Sequence, residues 1–282
     1  MIDPSIDQDL IDRALAEDLA DGPDVTTAAT VPADQVARGH MTPRQAGVLA
    51  GGPIAAQVFR TVIGPAVTVR QLVADGEPLV PGEPALVVQG PTAGLLTAER
   101  TALNLLTHLS GIASATRTWV DAVAGTGAKI RDTRKTLPGL RALEKYAVRC
   151  GGGVNHRMSL GDAALIKDNH VAAAGSVTAA IKAVRALDPT ITLEVEVDTL
   201  AQLDEAIGAG AELVLLDNFT LADTVEAVRR ARALPRYVQL EASGGLTLDR
   251  ARSVAETGVD FLAVGALTHS APALDVGLDL VG

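Results

Sequence analysis

From about residue 125 onward the chain alternates short apolar runs with amphipathic ones, and this alternation restricts the fold more than any other feature. The runs at 128–131, 163–167, 192–197, 212–216, 237–241 and 260–264 have the length and composition of buried strands. Between several of them, 177–187, 200–207 and 221–231 carry apolar residues at helical spacing. That is the pattern of parallel βα units, in which a helix covers the strand it follows. No nucleotide-fold glycine fingerprint is present, so the units are expected to close toward a barrel rather than lie in an open sheet. Clear strands number only six or seven, which points to an incomplete barrel.

The first part of the chain has a different texture. Residues 1–20 read as a helix, with Leu10, Ile11, Leu15 and Leu19 near helical period. From about Val36 to Val88, short runs such as Val67-Thr68-Val69 and Ala85-Leu86-Val87-Val88 are broken by turn pairs, Asp75-Gly76 and Pro81-Gly82. A small antiparallel sheet is expected there. Thr92 to about Val123 reads as one long helix joining this part to the βα units. A length of 282 residues suits one large and one smaller domain. Aromatics make up only 2%, so the core must be aliphatic, and little is available to stack on single-stranded nucleic acid. No basic leader with an apolar core and no bilayer-length apolar run is visible, so no membrane association and a cytoplasmic location are expected. The single Cys150 excludes an intrachain disulfide and disfavours a cysteine metal site.

A net charge of −10 argues against nucleic acid as a partner. Yet Lys129 to Asp168 holds nine Lys/Arg against four Asp/Glu, a net of +5 inside an acidic chain. Such an island suits a focused site for a small, highly anionic ligand. The plainer alternative is a solvated basic helix face, which the i, i+4 spacing of Arg141, Lys145 and Arg149 allows.

Polar residues gather where the expected strands end, and that is where parallel βα barrels place their active sites. The first strand runs into Asp132-Thr133-Arg134-Lys135-Thr136, and the second delivers Lys167. The third carries Glu194 and Glu196, two apart and so on one face. The fourth delivers Asp217-Asn218, the fifth Glu241 and then Ser243-Gly244-Gly245, and the last ends at Val264-Gly265. Each has a structural alternative. Lys167 could be an exposed loop lysine. Glu194 and Glu196 could form an ion-pair network with Lys167 and Lys135. Asp217 could cap the next helix, Arg100 could be a solvated helix arginine, and His156-Arg157 a turn with a solvated pair. Six coincidences in register favour a shared site.

These residues also carry a family resemblance. Arg131-Asp132-Thr133-Arg134-Lys135-Thr136-Leu137-Pro138-Gly139 is similar to the basic motif of quinolinate phosphoribosyltransferases. So are Lys145–Arg149 with Gly151–Arg157, Leu165–His170, Glu194–Val197, Leu216–Asn218, Glu241–Gly245 and Val264–His269. The resemblance runs from about Gly22 to the C-terminus. It implies an α/β protein of the type II phosphoribosyltransferase kind: an α+β open-faced sandwich with its linking helix over residues 1–113, and an irregular, incomplete TIM-like α/β barrel over 114–282. The last residues would be free to pack back on the first domain. It also implies a homodimer, or a larger assembly of dimers, in which each N-terminal domain covers the partner's barrel mouth.

By resemblance the substrates are quinolinate and phosphoribosyl pyrophosphate, and the products are nicotinate mononucleotide, carbon dioxide and pyrophosphate. Quinolinate's two carboxylates call for planar cationic donors, which Arg134, Arg157 and the partner's Arg100 would supply beside His156, Lys135 and Thr133. Backbone amides of Ser243-Gly244-Gly245 and Ala263-Val264-Gly265 would hold the 5-phosphate. Lys135 and Lys167, with Mg²⁺ at Glu196 and Asp217, would hold the pyrophosphate. Lys135, Lys167, Glu196 and Asp217 are thus the expected catalytic set. Three rivals lead elsewhere: transfer to a monocarboxylate such as nicotinate, Schiff-base chemistry at Lys167, and quinolinate sensing without catalysis.

Overall fold

The computed structural model describes residues 4–281, so the first three residues of the helix expected over 1–20 lie outside it. In chain order the elements begin with α1 (Pro4–Asp18), α2 (Val25–Thr30), β1 (Val36–Pro43), β2 (Gly47–Val48), α3 (Gly52–Ile63), β3 (Thr68–Gln71), β4 (Pro78–Leu79) and β5 (Leu86–Pro91). The long helix α4 (Thr92–Ala122) leads to β6 (Lys129–Arg131), α5 (Arg141–Cys150), β7 (Ala164–Ile166), α6 (Asp168–Ala174) and α7 (Val177–Leu187). Then follow β8 (Leu193–Val197), α8 (Leu200–Gly208), β9 (Leu213–Asp217), α9 (Leu221–Arg232), β10 (Gln239–Ser243), α10 (Leu248–Ala255), β11 (Phe261–Ala263), α11 (Ala266–His269) and β12 (Val276–Val281). No helix among the described residues is long and apolar enough to cross a membrane.

The chain forms two compact units. The first comprises the described residues up to Arg117, Ala142–Gly152 and those from Ser270 on. Its main sheet is antiparallel, in the order β12-β1-β5-β3. Strand alternation buries Met41, Leu86 and Val88 on one face and leaves Arg38, His40 and Gln89 on the other at least partly exposed. Helix α3 packs on β3 and β5 and inserts Ile54, Val58 and Phe59, all essentially inaccessible. Each such side chain contributes roughly 1.5–3 kcal/mol. The sequence pattern over 36–88 suggests a small antiparallel sheet and no helix. Residues 52–63 correct it: Pro53 opens a helix, and Ile54, Ala55, Val58 and Phe59 recur at helical spacing. The alternative of a solvated basic face on α5 holds for exposed Arg149 but not for Lys145, which is fully buried beside Leu143, Glu144 and Ala147. Gly111 of α4 faces the strand approach to β12. A Cβ there would lie 2.1 Å from the Pro272 carbonyl oxygen, so only glycine lets the chain return to pair with β1.

The second unit comprises Thr118–Arg141 and Gly153–His269. Its six strands are parallel, in the order β6-β11-β10-β9-β8-β7. Among the described residues β6 and β7 do not pair, so the barrel stays open between its first two strands, and a single bridge from Arg131 to Val154 extends the β6 edge. Leu213–Leu216 are all buried, as expected of a strand packed on both faces. Side-chain hydroxyls of Ser176, Thr199 and Thr220 accept N–H bonds at the starts of α7, α8 and α9, each worth about 1 kcal/mol. Thr220 caps α9, so the reading of Asp217 as that helix's cap does not hold.

Candidate active site

The strand ends of the second unit line an open cavity of about 390 Å³. Every strand contributes to its wall. Thr133, Arg134 and Lys135 follow β6, Lys167 follows β7, Glu196 lies on β8, Asp217 and Ser243 end β9 and β10, and Ala263 ends β11. His156, Arg157 and Glu241 complete the polar lining, with Leu165 and Leu215 as apolar patches. The inward positions alternate along each strand, which brings Glu194 and Glu196, or Leu215 and Asp217, to the same side.

Local bonds set these side chains in place. Buried Asp132 accepts the His156 N–H at 2.7 Å and an N–H of the Asn155 amide, which fixes the turn that carries Arg157. Arg157 Nη1 donates to the Ala163 carbonyl at 2.9 Å. The Lys135 N–H donates to Thr133 Oγ1, and Thr268 Oγ1 donates to the Lys135 carbonyl, so the 133–135 loop is tied to α11. Arg141 donates to Thr136 Oγ1 and to the Met158 carbonyl, joining the two basic loops instead of facing solvent. Lys167 Nζ pairs with Glu196 Oε2. Glu194 instead meets His156 Nε2 at 2.7 Å and Arg131 at 3.8 Å, not the Lys135 or Lys167 partners its sequence position suggested.

Arg134 and Arg157 both line the cavity, and each has a buried Nε with no hydrogen-bond partner among the described residues. Burial, and then the neighbouring Arg134 charge, hold the Arg157 pKa below the usual arginine value. Two guanidinium groups brought together with unused donors form a receptor for planar anions. Lys135 and Lys167 add positive charge, and Glu196 and Asp217 supply carboxylates within the same space.

The glycine loops divide. Ser243 lines the main cavity and, with Gly244, Gly245, Asn218 and Arg250, a second one of about 170 Å³. Gly244 has φ +86°, and a Cβ there would lie 2.2 Å from Asn218 Oδ1. Asn218, itself at φ 54°, donates its N–H to the Ser243 carbonyl and its amide N–H to Asp217 Oδ2, so the β9 and β10 loops hold each other. Gly265 packs close to Lys135 Cδ and Thr133 Oγ1. One expected donor is not available: the Val264 N–H bonds the Arg131 carbonyl at 2.9 Å, as part of the sheet. Arg100 is exposed on α4 in the first unit and does not line the cavity of this chain.

The sequence reading singled out Glu241 at a strand end but gave it no role. It is fully buried, lines the cavity and bonds Arg131 Nη1 at 2.6 Å. The signal was available, since a carboxylate ending an otherwise apolar strand requires a partner. His156, Glu194 and Glu241 have potential ligand atoms within 4.8 Å of one another, but the Arg131 guanidinium already occupies the cation's place against Glu241.

Comparison with known proteins agrees with this geometry. Residues 24–110 match the family profile described as Quinolinate phosphoribosyl transferase, N-terminal domain, and residues 112–279 match its C-terminal domain. A nicotinate-nucleotide pyrophosphorylase [carboxylating] of Mycobacterium leprae is 60% identical over 97% of this chain and 96% of its own length. A probable enzyme of the same name from Bacillus subtilis is 41% identical over 96% of this chain and 92% of its own. The solved nicotinate-nucleotide pyrophosphorylase of Francisella tularensis superposes with a TM-score of 0.93 at 37% identity, covering 100% of this chain and 98% of that one.

Proposed function

The chain belongs to the quinolinate phosphoribosyltransferase family, and on that premise we propose that it transfers phosphoribosyl from phosphoribosyl pyrophosphate to quinolinate with loss of carbon dioxide. The product is nicotinate mononucleotide, a precursor of NAD. One observation carries the reading: Arg134, Lys135, Arg157 and Lys167 face Glu196 and Asp217 across a single cavity at the strand ends.

In this reading the Arg134 and Arg157 guanidiniums take the two quinolinate carboxylates, using donors that the fold leaves unspent. Both ring nitrogens of His156 are engaged, Nδ1 by the Arg157 N–H and Nε2 by Glu194, so its part is to shape the wall. Lys135 and Lys167 neutralise the pyrophosphate, and the Ser243–Gly245 and Ala263–Gly265 loops hold the 5-phosphate, with Val264 contributing packing. As pyrophosphate departs, the ribose gains oxocarbenium character, which Glu196 and Asp217 stabilise electrostatically. The pyridine nitrogen bonds the anomeric carbon and becomes cationic. Carbon dioxide then leaves the adjacent carbon, the electron pair stays there as an ylid stabilised by that cation, and a proton taken up from water completes nicotinate mononucleotide. Holding both substrates in line supplies much of the acceleration. The Lys167–Glu196 ion pair suits anion binding better than Schiff-base formation.

The donor set also fits Mg²⁺, which takes one or two carboxylates and completes its shell with phosphate oxygens and water. Asp217 is the carboxylate to hold it, because the Lys167 ammonium already sits against Glu196. Bound there, the ion would offset the charge that develops on the leaving pyrophosphate. We further propose a homodimer, or an assembly of such dimers, in which the exposed Arg100 of one copy reaches the partner's cavity. A cytoplasmic location accords with the free, half-buried Cys150.

The test is product identification. Quinolinate and phosphoribosyl pyrophosphate should yield nicotinate mononucleotide by mass, and nicotinate should not replace quinolinate as acceptor. Equal turnover of nicotinate would overturn the assignment.

A further inference from the structure

A buried cluster forms part of the cavity wall. Glu194 and Glu241, on β8 and β10, are 3% and 0% exposed. Arg131 contacts Glu241 at 2.6 Å and Glu194 at 3.8 Å, with its guanidinium stacked on Phe261. His156 faces both carboxylates: its Nε2 lies 2.7 Å from Glu194 Oε2 and 3.9 Å from Glu241 Oε1, and its Nδ1 accepts the Arg157 N–H at 2.7 Å. Buried Asp132 at the end of β6 adds a further carboxyl nearby. The strands flanking β10 offer no charge at this level, since Glu241 is in register with Leu215 and Phe261. Glu194 Oε1 and Glu241 Oε1 are buried without a hydrogen-bond partner. Two buried carboxylates thus share one guanidinium, an arrangement that burial penalises unless one of them is neutral.

We propose that Glu241 is a neutral carboxylic acid in the working enzyme, and that Glu241 and Glu194 are positioning residues holding His156 and Arg157 in place for the dicarboxylate substrate. The inference rests on the quinolinate reading of the cavity. The chain of contact runs from Glu241 through Arg131 and Glu194 to His156, and from there along the backbone to Arg157. Burial first, and then the Glu194 charge, push the Glu241 carboxyl up to about 8 against the pull of Arg131. Ionising Glu241 would add a negative charge to the wall that receives a dianion, so quinolinate binding should weaken while phosphoribosyl pyrophosphate binding does not.

The experiment measures kcat and both KM values from about pH 6 to about pH 10 in the wild type, Glu241→Gln, Glu194→Gln and the double variant. In the wild type the quinolinate KM should rise roughly tenfold per pH unit above about 8, with the other KM level. Glu241→Gln mimics the neutral acid, so its quinolinate KM should lose the alkaline rise. Glu194→Gln removes the second of the two causes that raise Glu241 and leaves burial, so it should move the onset of the rise to lower pH. The double variant strips Arg131 of both carboxylates and should lose roughly a hundredfold in kcat/KM for quinolinate. An alkaline rise that persists in Glu241→Gln, or a neutral-pH loss in that variant equal to the double variant's, would overturn the proposal. Should Glu241→Gln not fold, the wild type must show a protonated-carboxyl infrared band at neutral pH; no such band sinks the idea. A wild type that never turns over quinolinate sinks the enzyme reading instead, and the infrared band still decides where the proton is.

Discussion

Lys167 and Glu196, from the ends of neighbouring parallel strands, meet as an ion pair in the cavity wall, with the lysine side chain 44% exposed and the glutamate 13%. The exposure of the lysine makes the pair cheap to break for folding and costly for an anionic substrate. Lys167→Ala should therefore leave stability within about 1 kcal/mol of the wild type and lower kcat/KM by roughly two to three orders of magnitude. Urea unfolding and steady-state kinetics on the same preparation check both halves.

Gly244 and Asn218 support a sharper prediction. An alanine at 244 would bring its Cβ onto Asn218 Oδ1 and would force φ +86° on a residue with a side chain. The β10 loop must shift to admit it, and this loop is assigned to the 5-phosphate. Gly244→Ala should raise the KM for phosphoribosyl pyrophosphate roughly tenfold or more and leave quinolinate binding, measured by calorimetry, unchanged.

Much of this was legible in the sequence, and the limits have physical causes. The parallel strands could be read because each is a short, largely apolar run with polar residues at or near its end, as 163–167 delivers Lys167. Helix α3 was missed because its glycine, proline and aliphatic composition resembles the turns and short strands around it, and only the Ile54, Ala55, Val58, Phe59 spacing betrays it. The burial of Lys145 was invisible because helical periodicity shows which residues share a face but not what covers that face. The pairing of Glu194 with His156, rather than with a lysine, depends on a turn that Asp132 holds from more than twenty residues away, and no local pattern encodes that contact.

The Glu241 proton has a consequence for stability. An ordinary glutamate titrates at 4.5, and the folded one is pushed up to about 8. Between those values the native state keeps a proton that the unfolded chain has released, so stability falls as pH rises through that window and levels off above it. By pH 7 the cost amounts to about 3 kcal/mol. Glu241→Gln removes the titration, so it should be more stable than the wild type near pH 7 and lose that advantage near pH 5. Urea midpoints at the two pH values measure the difference.

Arg100 tests the assembly. Arg100→Ala and Lys167→Ala should each be nearly inactive alone. Mixed and allowed to exchange subunits, they should recover about a quarter of wild-type activity, because half the dimers are hybrids with one intact site of two. Confirmed exchange without recovery would show that Arg100 does not serve the partner's cavity.

The central claim is that transfer and decarboxylation are coupled in one cavity. The most direct measurement is carbon dioxide release from quinolinate labelled at its 2-carboxylate, with phosphoribosyl pyrophosphate and Mg²⁺ present or omitted in turn. Release that requires all three components is the predicted result. Release without phosphoribosyl pyrophosphate, or none from folded protein with everything present, would contradict it.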